Sequence, residues 1–347
     1  MIAIALLCVL AGAVAGYVVR GPAPVPPGPA SGSEVLSITA AGTLGTIFPA
    51  VGDLLANESP GVQSPFASQL YEGSLAALGA VAQLHQSYDV AAAADFRLIP
   101  QLLYPGYASW QVVFATDPEV LVYDPTAPAL AGINATNWAQ KIVASGIVLG
   151  VANASIDPNG YNGIFVLELE GLAANGSLGA LYDHFYSGAP GTLATVNPAT
   201  AREEPETAIA ALLSTHVIQA AFTYRSFAVA HGLAYVPLPP GVDLGATDPG
   251  SVALYARAST QILAANGSLT VVDGAPLAFA ATVPTTAPNA ALGGLFVHLL
   301  VAPEGQALLN ATGFVPVAPA WVEGPGPLPA LLAPMVVPLP ADLAAEI

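Results

Sequence analysis

Cysteine is almost absent from the 347 residues: only Cys8 carries a thiol, inside an apolar N-terminal run. The remainder therefore has no disulfide, no thiol nucleophile and no cysteine-type zinc site. Positive charge is nearly as scarce. Lys141 and five arginines face 23 Asp and Glu, for a formal net charge of −17. So few cations give no basic face to neutralise a phosphate backbone, which excludes nucleic acid as a partner. Enzyme signatures are missing too: there is no Gly-X-Ser-X-Gly, His-Glu-X-X-His, P-loop or Gly-X-Gly-X-X-Gly. His85, His184, His216, His231 and His298 are scattered without metal-ligand spacing and read as surface or core residues. No catalytic residue, resident metal or cofactor is expected.

What is present is apolar. Hydrophobic residues make up 54 % and charged ones 8 %, a mixture too apolar for disorder and long enough for two domains. Residues 2–19 form an uncharged apolar run of 18, followed by Arg20. That is just enough to span a bilayer, so residues 1–20 read either as a membrane tether or as a cleaved signal. Leu6 and Leu7 before Cys8 make a poor lipid-attachment site. Residues 21–34, rich in Pro, Gly and Ser, read as a linker. Six Asn-X-Ser/Thr sequons stand at Asn57, Asn134, Asn153, Asn175, Asn266 and Asn310, although the chain has only 11 Asn. Chance would give about one or two, so the excess points to an exported, glycosylated protein with these Asn on its surface.

The hydrophobic pattern alternates strand and helix, which predicts an α/β fold with a largely parallel sheet. Strands are expected over 35–40, 62–69, 89–93, 112–115, 120–123, 148–151, 217–224 and 277–283. Helices are expected after Gly42-Thr43 and Gly73-Ser74, and over 138–145, 165–174, 206–213, 289–302 and 304–311. This order suggests two lobes: lobe I from 35–116 and 283–320, lobe II from 117–282. The chain would cross near Thr116 and return near Val283. Residues 321–347, rich in Pro, are expected to wrap the surface.

In such sheets ligands bind at strand C-terminal ends beside helix N-termini. Two junctions in lobe I carry Gly followed by a hydroxyl, Gly42-Thr43 and Gly73-Ser74. Either hydroxyl alone reads as a helix cap; their repetition suggests a site for an oxyanion. An acidic protein can hold an anion in this way, since charges beyond about 8 Å are largely screened at physiological salt. Asp157-Pro158-Asn159-Gly160-Tyr161 is a tight turn opening a helix, with a carboxylate among free N–H groups. In Phe222-Thr223-Tyr224-Arg225-Ser226, strand alternation would put Thr223 and Arg225 on one face. Arg225 is read as the only basic residue near the cleft, either pairing with Asp157 or a ligand, or bridging the lobes.

Taken together with Ala93-Ala94-Asp95-Phe96, Tyr107-Ala108-Ser109-Trp110, Phe114-Ala115-Thr116, His231-Gly232-Leu233, Pro284-Thr285-Thr286-Ala287-Pro288-Asn289 and Pro303-Glu304-Gly305-Gln306, these segments resemble the tungstate/molybdate-binding proteins of archaeal ABC importers. The resemblance runs in order from about residue 37 to residue 319. It implies a two-lobe type II periplasmic-binding-protein fold that closes on its ligand like a hinge. It also implies that the hydroxyls of Thr43 and Ser74 contact a tetrahedral oxyanion, and that Ala93 replaces a family serine and keeps only its N–H. In the resembled family, an Asp and a Glu add carboxylate oxygens to the metal of the oxyanion and expand its coordination to six. Asp157 stands at the first position and Thr223 at the second, which leaves one carboxylate. The expected ligand-binding set is Thr43, Ser74, Ala93, Asp157, Tyr161 and Thr223. The expected protein is a monomeric, extracellular, membrane-anchored or released receptor that delivers tungstate or molybdate to an ABC permease. The alternative is a glycosylated surface protein that keeps the fold without the oxyanion.

Overall fold

The computed structural model describes residues 35–58, 68–204, 206–264 and 266–347. The leader, the linker and the start of the second expected strand lie outside the described residues.

The first lobe alternates strands and helices. In chain order these are β1 (Ser37–Ala41), α1 (Phe48–Glu58), β2 (Ser68–Glu72), α2 (Ser74–Ala82), β3 (Val90–Ala93), α3 (Leu98–Leu103) and β4 (Gln111–Thr116). A 3₁₀ turn over Gly42–Thr46 separates β1 from α1. β1 pairs in parallel with β2 and β3, with Thr39 opposite Leu70 and Ala91. Ile38, Thr39, Ala40 and Ala41 are all buried, as expected of a strand covered on both faces.

The chain then enters lobe II with β5 (Glu119–Tyr123), α4 (Trp138–Ile142), β6 (Leu149–Val151), α5 (Pro158–Asn175), α6 (Gly179–Phe185) and a short pair, β7 (Tyr186–Ser187) and β8 (Thr195–Val196). β9 (Ala201–Glu203), α7 (Ile209–Ser214), β10 (Ala220–Tyr224), α8 (Arg225–Ala230), β11 (Tyr235–Pro237), α9 (Pro249–Tyr255) and the hairpin β12 (Ser259–Leu263) with β13 (Leu269–Asp273) complete it. Its main sheet has the order β11-β5-β10-β6-β9. α5 is apolar nearly all round and buries Ile164, Phe165, Val166, Leu167 and Leu169, the pattern of a central helix.

The chain returns with β14 (Ala278–Thr282), α10 (Ala290–Val301), α11 (Pro303–Ala311), β15 (Val315–Glu323), β16 (Val336–Pro338) and α12 (Ala341–Ala344). Lobe I is thus built on one seven-stranded sheet of order β16-β15-β4-β14-β3-β1-β2. Two expectations are corrected here. β14 belongs to the lobe I sheet, so the return lies before Ala278 rather than near Val283. Residues 321–347 are not a mere wrapping, because β16 extends the sheet edge, with Trp321 opposite Val337. An edge is where a strand tolerates a residue such as Pro338.

Both crossings leave from adjacent central strands, β4 and β14, and the Asp117 N–H donates to the Leu277 carbonyl oxygen at 3.2 Å between them. Tyr224 of lobe II stacks edge-on against Phe279 of lobe I at 5.3 Å, and Phe279 meets Phe314 in the same way. The core is therefore continuous through the junction.

Candidate functional site

Thr43 lies in the 3₁₀ turn after β1, fully buried. Its hydroxyl donates to Glu206 Oε1 at 2.8 Å, across to lobe II. Thr223, near the end of β10, donates to the same oxygen at 3.1 Å. Two of the expected residues therefore converge, but on a carboxylate that the sequence pattern had assigned to an ordinary helix start. Glu206 opens the 3₁₀ turn that precedes α7 and is only 4 % exposed. Burial and the nearby Asp157 charge raise its pKa well above the usual carboxylate range, against the pull of the two hydroxyls.

Ser74 begins α2, and its Oγ accepts the Ala94 N–H at 2.9 Å. That bond ties the loop after β3 to the helix start, so the segment beginning at Ala93 is held by Ser74. Gly73, just before it, has φ −55, which any residue tolerates. Its requirement for glycine comes from the other lobe: a Cβ there would sit 2.2 Å from the Ile156 carbonyl oxygen and 2.9 Å from Asp157 Cβ. A Cβ at Gly42 would lie 3.2 Å from Thr207 Cγ2. The two Gly-hydroxyl junctions are thus the places where lobe I backbone meets lobe II.

Asp157 caps α5, accepting the Asn159 N–H at 3.0 Å, with Pro158 next. Burial lifts its carboxyl to about 6, the one backbone bond opposing. Tyr161, one turn on, is buried and donates its hydroxyl to Asp95 Oδ2 at 2.7 Å. Asp95 also takes Arg97 Nε and Nη2, the latter at 2.7 Å, while Arg97 Nη1 donates to the Asp273 carbonyl oxygen at 2.8 Å. Burial alone would raise the Asp95 carboxyl, but the Arg97 charge and the hydrogen bonds hold it below its ordinary value. Tyr161 is therefore a lobe-to-lobe tie within this network.

For Arg225 the shared strand face is corrected, while the alternative that it bridges the lobes agrees with the structure. β10 ends at Tyr224 and Arg225 begins α8, so it does not share a strand face with Thr223. Its Nε donates to the Gly313 carbonyl oxygen at 2.7 Å, on lobe I. The basic residue at the lobe-to-lobe face beside Tyr161 is Arg97, which the sequence reading passed over.

Further acids lie behind the site. Glu119, fully buried, has both carboxylate oxygens without a hydrogen-bond partner. Burial, then the charges of Glu206 and Asp117, push its pKa far up, so it is held as the neutral acid. Burial places Asp117 at about 7 although it accepts the Ser226 N–H. Among the described residues, no three His, Cys, Asp or Glu side chains gather as a metal cage. A cavity of about 340 Å³ opens beside the site, walled by Gly42, Gly73, Asn153, Asp157 and Glu206.

The carboxylate shared by Thr43 and Thr223 left no sequence signal: Glu206 is 163 residues from one hydroxyl and 17 from the other. Only the resemblance, with its two-carboxylate pattern, gave a reason to look for a second acid.

Residues 36–315 match the family model of the bacterial extracellular solute-binding proteins. A solute-binding protein of Methanoculleus marisnigri is 29 % identical over 268 residues, covering 74 % of this chain and 75 % of that one. The molybdate/tungstate-binding protein WtpA of Thermococcus kodakarensis is 27 % identical over 247 residues, covering 67 % and 68 %. Among solved structures, the periplasmic molybdate-binding protein of Azotobacter vinelandii superposes with a TM-score of 0.56 at 15 % identity, covering 81 % of this chain and 98 % of that one, a likeness of fold.

Proposed function

The chain belongs to the family of bacterial extracellular solute-binding proteins, and from that membership we propose that it is the receptor of an ABC importer for a tetrahedral oxyanion, with tungstate or molybdate the leading ligands. One observation carries the reading. Hydroxyls from opposite lobes, Thr43 and Thr223, point at one carboxyl oxygen, that of Glu206, buried and out of reach of water. An oxyanion oxygen has the same needs as that carboxyl oxygen: convergent donors and no competing solvent. The start of α2 at Ser74 and of α5 at Asp157 add N–H groups and the positive ends of two helix dipoles.

The receptor would do no chemistry. It would bind in the cleft, close, and present the loaded lobes to a permease. We place it outside the membrane, on the apolar leader and the six sequons. Asp157 sets a pH dependence. Its carboxyl titrates near 6, above the ordinary value, so it is neutral in more acid solution and negative above that range. A negative Asp157 repels a dianion, so affinity should strengthen as pH falls through the titration.

The test is a thermal melt with tungstate, molybdate, sulfate and phosphate in turn. A ligand at about a hundred times its Kd stabilises the folded state by about 2.7 kcal/mol, a rise of several degrees. Tungstate or molybdate should give the largest rise. No rise with any of the four at millimolar concentration would leave the fold without this ligand class.

A further inference from the structure

Glu206 is the one side chain in the site that already does what a bound anion would do. Its Oε1 accepts from Thr43 Oγ1 on lobe I and from Thr223 Oγ1 on lobe II, so a single oxygen links the two lobes through donors of the kind an oxyanion needs. Thr43 Oγ1 and Thr223 Oγ1 each have one proton to donate. A hydroxyl that gives its proton to Glu206 cannot give it to a ligand at the same time.

We propose that the Glu206 carboxyl group is a tethered substitute ligand: it occupies the two-hydroxyl seat between the lobes, and an incoming oxyanion must displace it from Thr43 and Thr223. The ligand half of this inference rests on the oxyanion-receptor reading, while the hydrogen-bonded seat stands on the geometry alone. Glu206 therefore sets a threshold. An anion that accepts hydrogen bonds strongly enough to replace a carboxylate gains entry, and a weaker acceptor does not.

The surroundings decide when Glu206 yields. Asp157 at the start of α5, Asp117 before β5, Glu119 on β5 and Tyr224 on β10 all face it, and Glu204 and Glu72 line the adjoining cavity. Arg225 offsets part of this charge at Asp117. Burial and these charges raise the Glu206 carboxyl, so it takes up its proton early as pH falls and becomes a weaker acceptor. Acidification should loosen the seat and admit the oxyanion, in the same direction as the Asp157 effect. The two effects separate by mutation, because only Glu206 contacts the hydroxyls.

Two measurements on the full chain test this. The first uses no ligand. Thermal melts of wild type, Thr43→Val, Glu206→Ala and the double variant form a cycle. The double variant should lose much less than the two single losses added together, because either substitution breaks the same bond. Strict additivity would overturn the proposal. The second is calorimetric titration of tungstate into wild type and Glu206→Gln across a series from about pH 5 to about pH 10. Glu206→Gln keeps the size of the side chain and an acceptor oxygen but cannot ionise. It should bind tungstate about tenfold more tightly than wild type at the alkaline end, where Glu206 ionises, as expected for removing a charge-assisted acceptor from two hydroxyls. The gain should shrink at lower pH. Equal or weaker binding by Glu206→Gln would overturn the proposal and make Glu206 an ordinary ligand residue. Binding by neither protein would instead sink the receptor reading, and the ligand-free cycle would then judge the seat on its own.

Discussion

Asp117 stands at the first crossing between lobes with its carboxyl buried, and burial holds its pKa at about 7 despite the Ser226 N–H it accepts. The unfolded chain would titrate this group at about 3.9. Between those values the folded state keeps a proton that the unfolded state has lost. Stability from this group is fully present below the unfolded value and is lost as pH rises through about 7. The loss is on the order of 4 kcal/mol. Asp117→Asn should remove it. Melts of the variant should fall less than wild type between about pH 5 and about pH 8, the buried Asp157, Glu119 and Glu206 keeping their share, with the gain in the more alkaline solution. An equal fall in both proteins would show that another acid carries the effect. At this scale the sequence was uneven. Thr43 and Ser74 declared themselves because each follows a glycine at a strand-to-helix junction. Glu206 and Arg97 did not, because their partners are set by tertiary distance and no local pattern records it.

Among elements, α2 carries the sharpest constraint. Its N-cap Gly73 has a backbone conformation open to any residue, and the space for a side chain is taken by Ile156 and Asp157 of the other lobe. Gly73→Val should therefore leave the fold of lobe I intact while holding the lobes apart. Tungstate affinity should fall at least about tenfold with a change in melting temperature of only a few degrees. Small-angle scattering should show a larger radius of gyration for the variant in the presence of ligand. A variant that binds and compacts like wild type would mean that Ile156 moves aside easily. The alternating elements of lobe I were readable because parallel strands buried on both faces give continuous apolar runs. The hairpin β12–β13 was not, since β13 exposes most of its length and carries no inward stripe. β16 was hidden by its flanking prolines, which suit an edge strand as well as a loop.

For the whole molecule, the sequons offer an external check. Asn57, Asn134, Asn175, Asn266 and Asn310 are exposed, and Asn153 is half-buried with its Nδ2 donating to Glu203 at 3.0 Å. Native protein should carry glycan mass on the five exposed sites, read by intact-mass and peptide-level mass spectrometry. Asn153 should be the least occupied, because its amide is engaged at the rim of the cavity that adjoins the site. Unmodified native protein recovered from inside the cell would refute export. The two-lobe plan itself was legible from the order of strands and helices. The exact return point was not, because β14 is as apolar as any strand of lobe II and only its sheet partners assign it.

The paired crossings have one more consequence. β4 and β14 lie side by side in lobe I, and their exits are joined by the Asp117–Leu277 hydrogen bond. A door hung on two neighbouring pins swings but does not slide along its frame. A rotation of lobe II about this double pivot would spare the Asp117–Leu277 hydrogen bond, while a slide of one exit past the other would break it. Without ligand, such a swing would end with the same latch in the same keeper, Thr43 against Glu206.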